Sequence, residues 1–191
     1  MSTLLITTGC YTTLFYCSFP NQAHFRKVTS LTNALFLTAV WLFTNNSDSI
    51  SALNLNNYIT GFFAYDLIVG HLSDRENFNI LTGYIHHSVY IALLTYLRHT
   101  NESYLIYYFL PFEIPTVLLD IKRIYPSNQI NATFGISFLL FRVFYNAYVI
   151  NAMPHPSYAF VTILMLNLHM FWFYQWSKKH FLIKETIKPE H

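Results

Sequence analysis

The chain has 191 residues, of which 53% are hydrophobic, 19% aromatic and only 10% charged. Soluble domains carry about 25% charged residues, so this composition excludes an ordinary soluble domain, and the mean hydropathy of +0.31 has the same sign. A net charge of +2, with no basic stripe interleaved with aromatics, gives no footing for a nucleic-acid partner, and the two cysteines, Cys10 and Cys17, make no disulfide framework.

A membrane-spanning helix needs roughly 17–25 mostly apolar residues. In chain order the sequence predicts seven: 3–19, ending before Pro20, then 28–44, 57–72, 78–97, 104–121, 131–151 and 157–176. The first lacks a positively charged start and a small-x-small cleavage site, so it reads as a span and not as a cleaved signal peptide. No repeat, low-complexity tract or linker interrupts the chain. The expected fold is all-α, a single multi-pass bundle over residues 1–191 of about seven helices.

Charge placement agrees with that count. Seven spans put Arg26, Lys27, Arg75, Lys122, Arg123, Lys178, Lys179, Lys184 and Lys188 on one side, nine basic residues against one, Arg98, on the other. Basic residues concentrate in cytoplasmic loops, which predicts a lumenal N-terminus and a cytosolic C-terminus. The Asn45 and Asn101 sequons then fall on the lumenal side, and the Asn131 sequon on the cytosolic side.

Ionisable groups inside a span are costly and usually face the bundle interior, where they mark function. Here they are Asp66 in the third span, His86 and His87 in the fourth, Glu113 in the fifth, Arg142 in the sixth and His169 in the seventh. At about 1.5 Å per residue all lie between the midplane and the inner third of the bilayer, which predicts one shared polar site. Adjacent residues project about 100° apart on a helix, so His86 and His87 cannot both face it squarely. A structural ion pair between Glu113 and Arg142 is the plainer alternative for those two. Pro111 and Pro115 flank Glu113, and each removes a backbone donor and frees a carbonyl one turn earlier; such breaks at membrane depth occur where backbone is buried or lines a cavity. No phosphate loop, zinc spacing or nucleophile elbow appears, and neither metal nor cofactor is expected.

Four short motifs follow in order: Ala64-Tyr65-Asp66-Leu67, Tyr84-Ile85-His86-His87, Phe112-Glu113-Ile114-Pro115-Thr116 and Phe141-Arg142-Val143-Phe144. Their order and spacing resemble the TLC-domain family, which includes ceramide synthases and the translocating-chain-associating membrane protein, over residues of about 22–178. The resemblance implies a six-helix barrel around a central lipid-binding cavity, with the first helix an extra, in the endoplasmic reticulum or another endomembrane. It implies that His86, His87 and Glu113 are the candidates for catalysis, and that Asp66, Arg142, His169 and Asn146 line the cavity. Ceramide synthases carry a histidine pair, matched here by His86 and His87, and a later His-Asp pair. By spacing Glu113 stands where that histidine falls, Ile114 where its aspartate falls, and Val117 at the next aspartate. The glutamate followed by proline and threonine is more similar to small TLC-domain proteins tied to membrane lipid composition.

Three functions are open at this point. The first is lipid binding or handling in an intramembrane cavity, with membrane lipids as partners. A second is acyl transfer from acyl-CoA through the His86/His87 pair. The third is a seven-helix receptor or transporter, although the seventh span has no lysine for a retinal Schiff base and the two halves show no repeat.

Overall fold

The computed structural model describes residues 22–43, 49–73, 75, 78 and 80–182. The segment expected as the first span, with both cysteines, lies outside them, as do Asn45, Lys184 and Lys188.

Proline decides where this chain can be helical, because it lacks an N–H and clashes with the preceding turn. Prolines stand at 20, 111, 115, 126, 154, 156 and 189, leaving long uninterrupted apolar runs. The described residues contain helix and turn and no strand. They fall into two compact units, Met1–Leu110 and Pro111–His191.

In the first unit, α1 spans Gln22–Phe43 and α2 spans Ser49–Ser73. A π-helical turn, Ile80–Ile85, runs directly into α3, His86–His99. A tight turn follows, in which Asn101 takes a left-handed φ of 59°, a conformation asparagine tolerates better than most residues. A 3₁₀ segment, Ser103–Tyr108, closes the unit. The core gathers on α2, where Leu55, Ile59, Phe62, Phe63, Tyr65 and Val69 join Leu37, Leu94 and Ile106. One polar cross-link sits within it. The fully buried Asn56 donates to the Leu94 carbonyl at 3.0 Å and to Ser103 Oγ at 3.4 Å.

The second unit begins at Pro111, inside a 3₁₀ turn, Leu110–Glu113, that leads into α4, Ile114–Ile124. Ser127 caps α5, Asn128–Phe138, its hydroxyl accepting from the Ile130 N–H at 3.1 Å. A π turn, Leu139–Phe144, joins α5 to α6, Tyr145–Ala152. Pro156 starts α7, Pro156–Ser177, in the first helical turn, where its missing N–H costs nothing. The chain then enters a π turn, Lys178–Leu182. Gly135 on α5 lies directly against the Trp176 indole of α7, in space that a Cβ would fill.

Helix α7 is arranged opposite to a helix of a soluble protein. Its buried face carries Tyr158, Thr162, Met165 and His169. Its exposed face carries Phe160, Ile163, Leu164, Met170, Phe171 and Tyr174. An exposed apolar stripe of this kind, broken only by Asn167, whose amide is tied to the Ile163 carbonyl at 2.9 Å, marks contact with lipid or a partner. Three described helical runs are long and apolar enough to cross a membrane: Ser103–Ile124, Asn128–Ala152 and Pro156–Phe181.

The helical runs fall where the second to seventh spans were expected, with two differences. Helix α2 begins at Ser49, well ahead of the expected residue 57, because its first two turns are too rich in Ser and Asn to register as apolar. Helix α1 begins at Gln22, so Arg26, expected in a loop, lies inside the helix.

Candidate functional site

Among the described residues, each unit holds a cluster of interior polar groups built around an arginine.

In the first unit, Arg26 on α1 meets Asp66 on α2 in a two-pronged ion pair. Nε donates to Oδ1 at 2.8 Å and Nη2 donates to Oδ2 at 3.0 Å. That fork-to-fork geometry suits guanidinium and carboxylate. His87 on α3 joins from the other side, with Nε2 3.5 Å from Asp66 Oδ2. All three side chains are largely buried. A carboxylate only accepts, so this approach favours the tautomer with the ring proton on Nε2. His87 Nδ1 is buried and has no hydrogen-bond partner among the described residues.

Aromatic rings enclose the trio. The Arg26 guanidinium lies 4.7 Å from the centroid of Phe78. The Phe78 ring in turn rests on Gly70 and Gly83, where any Cβ would overlap it. Phe63 approaches the His87 ring at 5.3 Å. His86 projects elsewhere, as the 100° offset requires, and its ring lies tilted against Tyr90 at 4.6 Å. Of the histidine pair, only His87 touches the carboxylate among the contacts described.

The second cluster arises from two irregular stretches of helix. Pro115 cannot supply the N–H that would close a 3₁₀ turn on the Phe112 carbonyl. Arg142 Nε donates to that carbonyl instead, at 3.0 Å. Its Nη2 donates to Thr116 Oγ1 at 2.7 Å, and the Thr116 side chain hydrogen-bonds the Glu113 carboxyl group. Glu113 and Arg142 are therefore linked through Thr116. Among the described residues they form no ion pair within 4.0 Å.

Arg142 sits in the π turn, where helix carbonyls lose their usual partners. His169 Nδ1 takes up the Arg142 carbonyl at 2.9 Å. A carbonyl only accepts, so Nδ1 carries the proton and Nε2 keeps the lone pair. The Asn146 amide lies 3.1 Å from the same nitrogen. Asn146 is 0% and His169 1% exposed, and Phe112 and Phe138 meet the imidazole ring edge to face.

Every interior residue singled out from the sequence thus has a place. Asp66 and His87 share one cluster with His86 beside it; Glu113, Arg142, Asn146 and His169 share the other. Arg26 and Thr116 escaped the sequence reading. Arg26 gave no signal, because a basic residue near the start of a span looks like a loop charge. Thr116 did give one, standing one turn after Glu113 on the same helical face. Asp120, beside the basic Lys122 and Arg123, is fully buried and accepts from Arg123 at 2.9 Å. Among the described residues no group of three or more His, Cys, Asp or Glu side chains is placed to hold a metal ion.

The chain matches no family model, no curated protein and no solved structure. Its chemistry has to be read from the two clusters themselves. The first offers a neutralised ion pair that orients a histidine, with one imidazole nitrogen left over. In the second, a guanidinium is held by neutral oxygens, so its positive charge is not cancelled at contact distance.

Proposed function

We propose that this chain is a multi-pass membrane protein of TLC type that binds lipid through its interior polar groups and so influences membrane lipid composition. The observation that carries the proposal is the inversion of α7, which turns Thr162 and His169 inward and an apolar stripe outward. An amphiphile held within such a bundle needs a polar anchor at membrane depth, and desolvation strengthens whatever attraction that anchor exerts. Arg142 is suited to this role. Its guanidinium is fixed by Phe112 and Thr116 and retains its charge for a phosphate or carboxylate headgroup. The order of the four TLC-like motifs adds the endoplasmic reticulum or a related endomembrane as the expected location, and a seven-helix count with a lumenal N-terminus.

The test is lipidomics of cells expressing matched amounts of wild type and the Arg142→Met, His87→Ala and Glu113→Ala variants. A lipid class that shifts with wild type and reverts with Arg142→Met supports the reading. Identical profiles for wild type and all variants, together with no lipid copurifying in mild detergent, refute it.

One observation favours a second reading, acyl transfer. With Nε2–H directed at Asp66, the unpartnered Nδ1 of His87 is a base. It can take the proton of an amine or hydroxyl as that group attacks an acyl thioester; the carbon–sulfur bond then breaks and the proton leaves with the thiol. His87→Ala should abolish turnover with folding intact while His86→Ala retains much of it. Equal loss in both, or in neither, removes this reading.

A further inference from the structure

The two interior clusters leave one strongly charged region of the molecule unexplained. It lies in the second unit, at the end where α4 stops, α5 starts and α7 runs into its π turn. Four cations meet there. Lys122 extends its ammonium over the Phe134 ring of α5, 5.4 Å from the centroid. Phe134 in turn contacts Trp176 of α7 at 6.2 Å, which places the next turn of α7, with Lys178 and Lys179, at the same end. Lys179 is near enough for its charge to repel that of Lys122. Arg123, the fourth, is already bound to Asp120.

The charges do not balance. Asp120 is the carboxylate that the described residues bring to these groups, and Arg123 occupies it at 2.9 Å, so Lys122, Lys179 and the adjacent Lys178 have no counter-ion among the described residues. The first N–H groups of α5, beyond the Ser127 cap, bring the positive end of one helix dipole here, while α4 and α7 end here with the negative ends of theirs. The opposite end of the α6–α7 hairpin, residues 152–156, has no Lys or Arg. A cluster of like charges of this kind attracts an anion, most strongly at low salt.

The surroundings say which anion. All three membrane-length helical runs have an end here, at Ile124, Asn128 and Phe181. Aromatic side chains ring the cations: Tyr125 and Phe181 are 69% and 68% exposed, and the Trp176 indole N–H is tied to Asn131 at 3.2 Å. Tryptophan and tyrosine beside lysine form the pattern of a membrane–water interface. The outward stripe of α7, Met170, Phe171 and Tyr174, leads away from the cations as an acyl chain would.

We propose that Lys122, Lys178 and Lys179 form a binding site for the phosphate of an anionic membrane lipid, whose chains lie along the outer face of α7. This site is separate from the interior clusters and rests only on the chain being embedded in a membrane. Its failure would leave the interior reading standing, since that is probed through Arg142 and His87.

Native mass spectrometry of the full chain in mild detergent tests it, with phosphatidylglycerol and phosphatidylcholine of matched acyl chains added in turn. Each basic residue near an anionic lipid surface multiplies affinity roughly fivefold. Wild type should retain phosphatidylglycerol in preference. Lys122→Gln with Lys179→Gln should cut that retention about 30-fold and leave phosphatidylcholine unchanged. Lys179→Gln alone, at an exposed position, should cut it about fivefold and guards against a folding defect in the double variant. Equal retention of both lipids by wild type, or full retention by both variants, overturns the proposal. Displacement of the lipid by millimolar inorganic phosphate also overturns it, by making the site one for a soluble anion.

Discussion

Arg26 and Arg142 solve the same physical problem in opposite ways. Each is a guanidinium inside a helical unit that is apolar on its outside, and each must satisfy several donors without water. Arg26 meets a carboxylate, Asp66, and its charge is cancelled on contact between two regular helices. Arg142 meets a backbone carbonyl and a hydroxyl. Two of its nitrogens are held by neutral oxygens, so no charge is cancelled on contact, and both oxygens come from the irregular start of α4. The difference separates two uses of buried charge. A contact ion pair ties elements together, whereas a cation held by neutral acceptors remains able to attract an anion.

That contrast can be broken experimentally. The largest effect should come from Asp66→Ala, which strands Arg26 in an apolar setting and should lower unfolding free energy by about 3–5 kcal/mol, read from reversible unfolding in detergent. Arg26→Met combined with Asp66→Leu should recover most of that loss. If the double variant is no better than the single, the pair is not what holds α1 to α2.

Next in size, Thr116→Val removes the acceptor for Arg142 Nη2, and hydrogen bonds to charged groups contribute roughly 1.5–3 kcal/mol. The loss should disappear in an Arg142→Met background. Additive losses would mean that Thr116 acts otherwise than through Arg142. Gly135→Ala sets a Cβ against Trp176 and should cost about 1–3 kcal/mol, the range for overpacking a filled interior. A smaller loss, about 1 kcal/mol, is expected for Trp176→Phe, which deletes the donor to Asn131 and keeps the ring. Indole fluorescence from the remaining tryptophans should be unchanged there, and a large shift would show repacking in place of a lost hydrogen bond.

Much of this was legible in the sequence, for physical reasons that differ between elements. Helix positions followed from long apolar stretches between prolines. The helix break at Glu113 followed from Pro111 and Pro115, and the freed Phe112 carbonyl is where that reasoning pointed. The divergence of His86 from His87 followed from helical geometry. Pairing was not legible. A sequence shows that Asp66 is a buried acid, but its partner lies 40 residues away, and nothing local to Arg26 distinguishes it from a loop charge. The link through Thr116 was hidden for a different reason, since a direct Glu113–Arg142 contact is the simpler guess when only residue types are known. The Leu139–Phe144 π turn could not be read at all, because its residues are as apolar as those of the α-helices on either side.

That π turn has a consequence for how the chain tolerates length changes. A π turn holds one residue more than the α turn it replaces, so α5 and α6 are, in effect, one helix with a single extra residue. At most places in a helix a one-residue deletion turns every later side chain by about 100° around the axis. Between Leu139 and Phe144 the wide turn already absorbs one residue, so removing one there would let the segment close as continuous α-helix with the later side chains of α6 on their present faces. Asn146 would still face His169, and Val149, now fully buried, would stay inside. What would be lost is the irregular turn that leaves the Arg142 carbonyl for His169, so this is a stretch where a deletion should spare the packing and strike the polar cluster.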